Sequence, residues 1–411
     1  MLTKPPPDSW RRTRRVVFVH FCVHGAITAL WIVAIPAVKA GLGLGDGALG
    51  LALFTLAASA VLTVRIAGPV LLRRFSPARV SQVCGLLAGL ALVLPGVAST
   101  TVGLAIAVLP LGAGLGLLDL AMNAYAGEVE AAYGRPVMSS FHGAWSLATL
   151  TATALGGAAV QAGVPLAAVL GCGGLLLGAA CGLVRHRSPT EFLTQPRNPV
   201  SRVRRATPRR VWVLAALALS ALMCEGAVGD WSGVWLVKTF DIGPGLAASG
   251  YGAFAITATA GRFLMDRIAR RVGPVALLRV SGVVVAGGIG LAIAAAAFPV
   301  SIAGWAVAGA GSAGIVPQVY SAAARMPHSA AAVAQVSSAA YLGTVISPPV
   351  IAWIATTSGL GTALLFLLVP ALVVVVAAPA CRSEAAVKRW SSKGACSVRF
   401  SARIPQEHRS R

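Results

Sequence analysis

Twelve long apolar runs partition the chain: 16–38, 48–72, 80–98, 102–125, 138–161, 164–184, 211–237, 246–268, 275–297, 301–324, 330–356 and 360–380. A helix needs about 20 mostly apolar residues to cross the hydrocarbon core of a bilayer. Inside that core the backbone's polar groups have only each other as partners, so spans of this kind are helical. The expected fold is therefore an all-α integral membrane protein with twelve transmembrane helices. Composition agrees: 57% of the 411 residues are hydrophobic and only 11% charged, against about a quarter charged in soluble domains. These figures exclude a soluble enzyme.

The remaining charge is lopsided, with 34 Lys and Arg against 12 Asp and Glu, a formal +22. Such an excess also suits a nucleic-acid partner, but a groove reader is not mostly apolar. Placed on the twelve spans with the N-terminus inside, 31 of the 34 basic residues fall on the cytoplasmic side. Lys39 and Lys238 lie in outside loops, and Arg65 lies within a span. Cytoplasmic loops collect Lys and Arg, so the excess reports orientation. Both termini are expected in the cytoplasm. The first apolar run is too long for a signal peptide and opens a series of further spans, so it is read as an uncleaved helix.

The chain divides into a cytoplasmic segment 1–15, a six-helix bundle 16–184, a basic linker 185–210, a second six-helix bundle 211–380 and a basic tail 381–411 expected to be disordered. The linker holds eight Arg against the single acid Glu191. Seven cysteines are scattered without metal-ligand spacing, so no metal or cofactor is expected. Gly309-Ala310-Gly311-Ser312-Ala313-Gly314 fits a dinucleotide fingerprint in letters alone. It lies inside an apolar span, where small residues let helices approach.

The two halves repeat. His24-Gly25-Ala26 with Trp31 and Lys39 in the first span recurs as Glu225-Gly226-Ala227 with Trp231 and Lys238 in the seventh. Arg74-Phe75-Ser76-Pro77-Ala78 recurs as Arg271-Val272-Gly273-Pro274-Val275, and Gly112-Ala113-Gly114 as Gly309-Ala310-Gly311. Internal repeats of this kind point to transporters.

With these features the chain resembles the major facilitator superfamily over nearly its whole length. Gly261-Arg262-Phe263-Leu264-Met265-Asp266-Arg267 is similar to the superfamily's loop motif. Three further stretches resemble a narrower branch, the bacterial inner-membrane proteins related to the fucose:proton symporter: Gly112 to Asn123, Arg135 to Gly143, and Glu225 to Ser232. The resemblance implies secondary active transport of a small solute, two pseudo-symmetric six-helix bundles, a bacterial inner membrane and a monomer, with no ATP site.

Ionisable groups inside a span are costly and usually functional. Glu225 lies near the middle of the seventh span, and a carboxylate in a low-dielectric cavity can load and release a proton near neutral pH. Asp230 lies five residues on, about 140° round the helix; it serves coupling or bonds backbone near the outer interface. Asp119 and Asn123 share one helix face, as a functional pair or a clamp between helices. The resemblance lends Asp119 a role in proton coupling. His24 occupies the repeat position of Glu225 and suits proton exchange with it; His20 is expected at the cytoplasmic interface. Trp31, Trp231, Gln318, Tyr320, Gln335 and Tyr341 are candidate cavity walls, although Trp and Tyr also anchor at interfaces. Charge order suggests a cytoplasmic gate, Asp266 with Arg325 in the second half and Arg73 or Arg74 with Glu128 or Glu130 in the first.

Three readings follow: proton-coupled uptake of a sugar-like solute, proton-antiport efflux of an amphiphile, and a membrane sensor that transports nothing. Buried hydroxyls need polar partners, which a wall of Ala, Val and Leu supplies sparingly; that keeps efflux in play. The intramembrane acid Glu225 argues against the sensor.

Overall fold

The computed structural model describes residues 8–133, 137–184, 209–326 and 329–382. Among them there are fifteen α-helices, a closing 3-10 turn and no strand. Nine expected spans are single helices: α1 (Asp8–Gly41), α4 (Pro77–Val97), α5 (Thr101–Tyr133), α6 (Met138–Gln161), α7 (Leu166–Leu183), α8 (Arg209–Phe240), α9 (Pro244–Val272), α10 (Pro274–Ala294) and α13 (Ser329–Ser358). The other three are broken rods: α2 (Asp46–Ile66) with α3 (Gly68–Arg74), α11 (Phe298–Ser312) with α12 (Ile315–Ala324), and α14 (Leu360–Leu365) with α15 (Leu368–Ala377).

A proline lies just beyond each break, although Pro36, Pro95, Pro110, Pro348 and Pro349 sit inside unbroken helices. Proline lacks an N–H, and its ring presses on the carbonyl four residues back. For Pro317 that residue is Ala313 and for Pro370 it is Phe366, the residues that end α11 and α14. Pro69 stands in the first turn of α3 in the same way. The basic residues Arg11 to Arg15 ride on α1 itself, which starts at Asp8. Nearly all of the linker 185–210 and the tail 381–411 lies outside the described residues.

Among the described residues ten helical segments are long and apolar enough to cross a membrane. The two long helices outside that set are α6, with His142 and several Ser and Thr, and α9, with Arg262, Asp266, Arg267, Arg270 and Arg271. These two pack against each other between the halves, so His142 and Arg262 have a protein interface to face instead of lipid.

The sequence repeat is a packing repeat. A Cβ on Gly112 of α5 would lie 2.2 Å from the Leu56 carbonyl of α2, and one on Gly309 of α11 would lie 2.2 Å from the Phe254 carbonyl of α9. Gly114 meets Ala88 of α4 as Gly311 meets Ser281 and Val285 of α10. Gly25 seats α1 on α6 at the Trp145 carbonyl, and Gly226 seats α8 on α13 at Thr344. The first bundle is thus α1–α7 and the second α8–α15. They meet along α2 with α13, α6 with α9, and α1 with α8 and α9.

We call the side where α1 begins the basic face and the opposite side the far face. Close packing between the bundles lies toward the far face, at Gly50 against Ala352, Gly233 against Pro36, and Gly157 and Gly245 against each other's helices.

Candidate functional site

Two polar layers lie between the bundles. The first is at the far face. Asp46, the first residue of α2, is 3.0 Å from Lys39 Nζ of its own bundle and 3.5 Å from Lys238 Nζ of α8. Lys39 also donates to the Leu44 carbonyl at 2.7 Å, fixing the turn between α1 and α2. Nearby, the Leu246 N–H of α9 donates to Gln161 Oε1 of α6 at 2.9 Å. Pro36, Lys39, Leu44, Val234 and Lys238 line a cavity of about 360 Å³ at this layer.

The second layer lies deeper and holds Asp119, Glu225 and Asp230. Asp119 of α5 accepts a 2.7 Å hydrogen bond from the Tyr341 hydroxyl of α13, which crosses between the bundles. Asn123 donates to both the carbonyl and Oδ1 of Asp119, at 2.9 and 3.1 Å. The shared helix face therefore orients the carboxylate, leaving Oδ2 for Tyr341. Glu225 of α8 is 3.9 Å from Arg262 of α9, and Arg262 reaches across to Ser146 Oγ of α6 at 3.4 Å. Tyr251 of α9 lies within electrostatic range of Glu225, Arg262 and Asp230. His142 is similarly placed toward Asp119, Arg262 and His24.

His24 Nδ1 accepts from Trp145 Nε1 at 2.8 Å, with the Leu115 backbone of α5 as a further partner. This describes a neutral ring bracing α1, α5 and α6. A protonated Nδ1 would turn its N–H toward the indole N–H.

His142, Arg262 and Tyr341 are exposed although they point between the bundles. With the far face closed, their exposure comes from the basic side.

The remaining candidates are distributed as follows. Gln318 is buried, while Tyr320 and Gln335 are half-buried, with Tyr320 near Ser337 and Asp119. Trp31 and Trp231 are 3% and 0% exposed and belong to the hydrophobic core. They fill space behind the lining, because helices enclosed by other helices use their largest rings as packing. His20 is also wholly buried, its ring 6.3 Å from that of Tyr125.

At the basic face Arg73 Nε donates to the Pro69 carbonyl of its own helix. Glu130 Oε2 accepts from the Val137 and Met138 N–H groups at 2.7 and 2.8 Å, capping α6. Arg325 is exposed at the end of α12. The side chain of Asp266 lies outside the described residues, and with it the expected Asp266–Arg325 pair. Charge order alone did not single out Arg262, Tyr251, Trp145 or the Asp46 bridge. Arg262 lies ten residues inside the end of α9, about 15 Å by helical rise, and that depth was the available signal.

The chain belongs to the Major Facilitator Superfamily, whose family model matches residues 16–329. An uncharacterised MFS-type transporter of Yersinia pestis is 32% identical over 375 residues, covering 88% of this chain and 93% of that protein. Membrane protein MosC of Rhizobium meliloti is 29% identical over 367 residues, 89% of each. Among solved structures, the nucleoside transporter NupG matches with a TM-score of 0.69 at 13% identity, over 91% of this chain and 98% of that one. The MFS transporter FucP, in the outward conformation, matches at 0.58 and 15% identity, over 91% and 100%. The fold is the expected one, all-α with two six-helix halves, and the protein is a multi-pass membrane transporter of small molecules.

Proposed function

We propose that the protein couples proton movement to transport of a small polar solute across the bacterial cytoplasmic membrane, by alternating access, as a single chain with its basic face toward the cytoplasm. Glu225 is the proton carrier. Asp119 senses the opening and closing of the bundles through Tyr341, and Asp230 is a second relay position reached through Tyr251.

One observation carries this reading: the carboxylates of Asp119 and Glu225 lie between the bundles, one bonded across the interface and the other opposite a cation. An intramembrane carboxylate whose partner belongs to a moving interface changes surroundings when the interface opens. That change in environment is what moves its proton affinity. The arrangement described here, sealed at the far face and exposed toward the basic face, is one end state of such a cycle. Asp46 holds that seal across the interface through Lys238.

The test is transport in proteoliposomes under an imposed pH gradient, with external pH recorded as solute is added. Wild type moves protons with solute, and Glu225→Gln exchanges solute without moving protons. A Glu225→Gln protein that still acidifies or alkalinises the medium at the wild-type rate overturns the assignment. Proton movement in the direction of the solute is uptake by symport, and the opposite sign is efflux by antiport.

A further inference from the structure

Arg262 has no place in the scheme above beyond pairing with Glu225, and its geometry asks for more. A guanidinium carries five N–H donors in one plane, shaped to grip a carboxylate with two parallel bonds. Among the described residues Arg262 makes one hydrogen bond, 3.4 Å to Ser146, and one ion pair, 3.9 Å to a single oxygen of Glu225. Neither is bidentate. The side chain is 40% exposed between the bundles, while Ser146 beneath it is buried. An arginine so far from the helix end needs a counter-anion, and the one present is loosely held.

We propose that Arg262 binds the carboxylate of the transported solute, and that solute and Glu225 alternate as its counter-anion. The solute class is a small organic carboxylate with a polar body, such as a sugar acid or hydroxy acid, carried with one proton. The inference rests on Glu225 as the proton carrier.

Charge balance supplies the coupling. Empty, the site holds an arginine cation and a glutamate anion. Loaded, it holds the same cation, a protonated Glu225 and the ligand's carboxylate. Both states are neutral. A proton alone leaves Arg262 unpaired, and a ligand alone adds an unpaired anion, and an uncompensated charge in a low-dielectric site is disfavoured. The bundles therefore interconvert when both passengers are present or neither is. Tyr251 of α9, Asp230 of α8, His142 of α6, and Asp119 of α5 with His24 of α1 are the other titratable groups facing this pair. Of these, His142 and Tyr251 lie within electrostatic range of Arg262, and a histidine is the side chain that ordinarily titrates near neutral pH, so the test includes His142→Gln, which retains the pH dependence.

The measurement is ligand-induced thermal stabilisation of the purified full-length chain at pH 5.5 and pH 8. The probes are D-glucuronate, D-gluconate, L-lactate and succinate, with D-glucose as the uncharged analogue of glucuronate. At least one carboxylate stabilises wild type, with tighter binding at pH 5.5, and glucose does not. Arg262→Gln weakens that binding at least tenfold. Arg262→Lys, which keeps the charge and loses the fork, lies between and carries the test if the glutamine variant fails to fold. Glu225→Gln binds the same carboxylate equally at both pH values.

The anion site is overturned if glucose stabilises as well as glucuronate, if Arg262→Gln binds within twofold of wild type, or if no carboxylate in the panel stabilises at either pH. It is also overturned if His142→Gln alone removes the pH dependence. If Glu225→Gln keeps the wild-type pH dependence while Arg262→Gln loses binding, the anion site stands and the Glu225 reading falls.

Discussion

The Tyr341 hydroxyl donates to Asp119 at 2.7 Å, and this bond joins the second bundle to the first on the accessible side of the far-face seal. Its donor is 48% exposed and its acceptor is oriented by Asn123, so water competes for the hydroxyl while the carboxylate stays in place. A hydrogen bond to a charged group in such surroundings contributes about 1.5–3 kcal/mol at most, less where solvent screens it. Tyr341→Phe is expected to shift the balance away from the far-closed state several-fold without unfolding the protein. A cysteine pair at Gly47 and Thr356 reads this, since a Cβ on Gly47 would lie 3.3 Å from the Thr356 side chain. The cross-link forms more slowly in the Tyr341→Phe background; an unchanged rate removes Tyr341 from the cycle.

The same assay tests the Asp46 bridge. Lys238 is 56% exposed and its separation from Asp46 is 3.5 Å, so the pair contributes about 0.2–1 kcal/mol. Lys39 is nearer, at 3.0 Å, but lies in the same bundle and cannot report on the interface. Lys238→Glu is therefore expected to slow the 47–356 cross-link, and Lys39→Gln to slow it less. High salt narrows the difference between wild type and Lys238→Glu, because exposed pairs are screened.

Glycine packing predicts where small changes are not tolerated. Gly112 and Gly309 lie against backbone carbonyls, so an added methyl has no flexible neighbour to displace. Each Ala substitution is expected to lower stability by about 1–3 kcal/mol through overpacking. Gly287 and Gly290 have open space at the same atom, and Ala there is expected to be neutral. Thermal unfolding in one detergent separates the two groups. Equal loss at Gly287 and Gly309 would mean that close approach to a carbonyl does not govern these positions, since Ala is the better helix former at both.

How far the sequence carries depends on which physical signal each feature leaves. Twelve rods follow from hydropathy because each span must cover the same hydrocarbon thickness, and proline marks where the breaks before Pro317 and Pro370 can fall without dictating them. Helix ends are less legible: α9 runs on to Val272 because a charged helix continues beyond the apolar stretch. Asp119 and Glu225 stood out because acids are scarce in such a chain. Tyr341 was a candidate wall and Arg262 a motif residue, but neither pairing was legible, because contacts between separate helices leave no periodicity. Arg262 was hidden by the positive-inside rule itself, which credits arginines flanking a loop to that loop. Trp31 and Trp231 were misread because a span's aromatic residues look alike whether they face a cavity or a neighbouring helix.

Orientation is the last link and can be tested without any substrate. The turn between α1 and α2 carries Lys39 and Asp46 and ends at the exposed, unencumbered Gly45. The turn between α3 and α4 is flanked by Arg73, Arg74 and Arg79 and presents Phe75, 45% exposed. The bias in Lys and Arg sets which loops stay in the cytoplasm, so these adjacent turns are expected on opposite sides of the membrane. In a background carrying Cys172→Ser, which removes the cysteine exposed among the described residues, and Cys396→Ser, which removes the one outside them, a membrane-impermeant maleimide should label Gly45→Cys in intact cells. It should label Phe75→Cys only after permeabilisation. The reverse pattern would invert the topology and make the basic face external; labelling of both in intact cells would mean dual insertion. With the inverted topology the state open toward the basic face would load from outside.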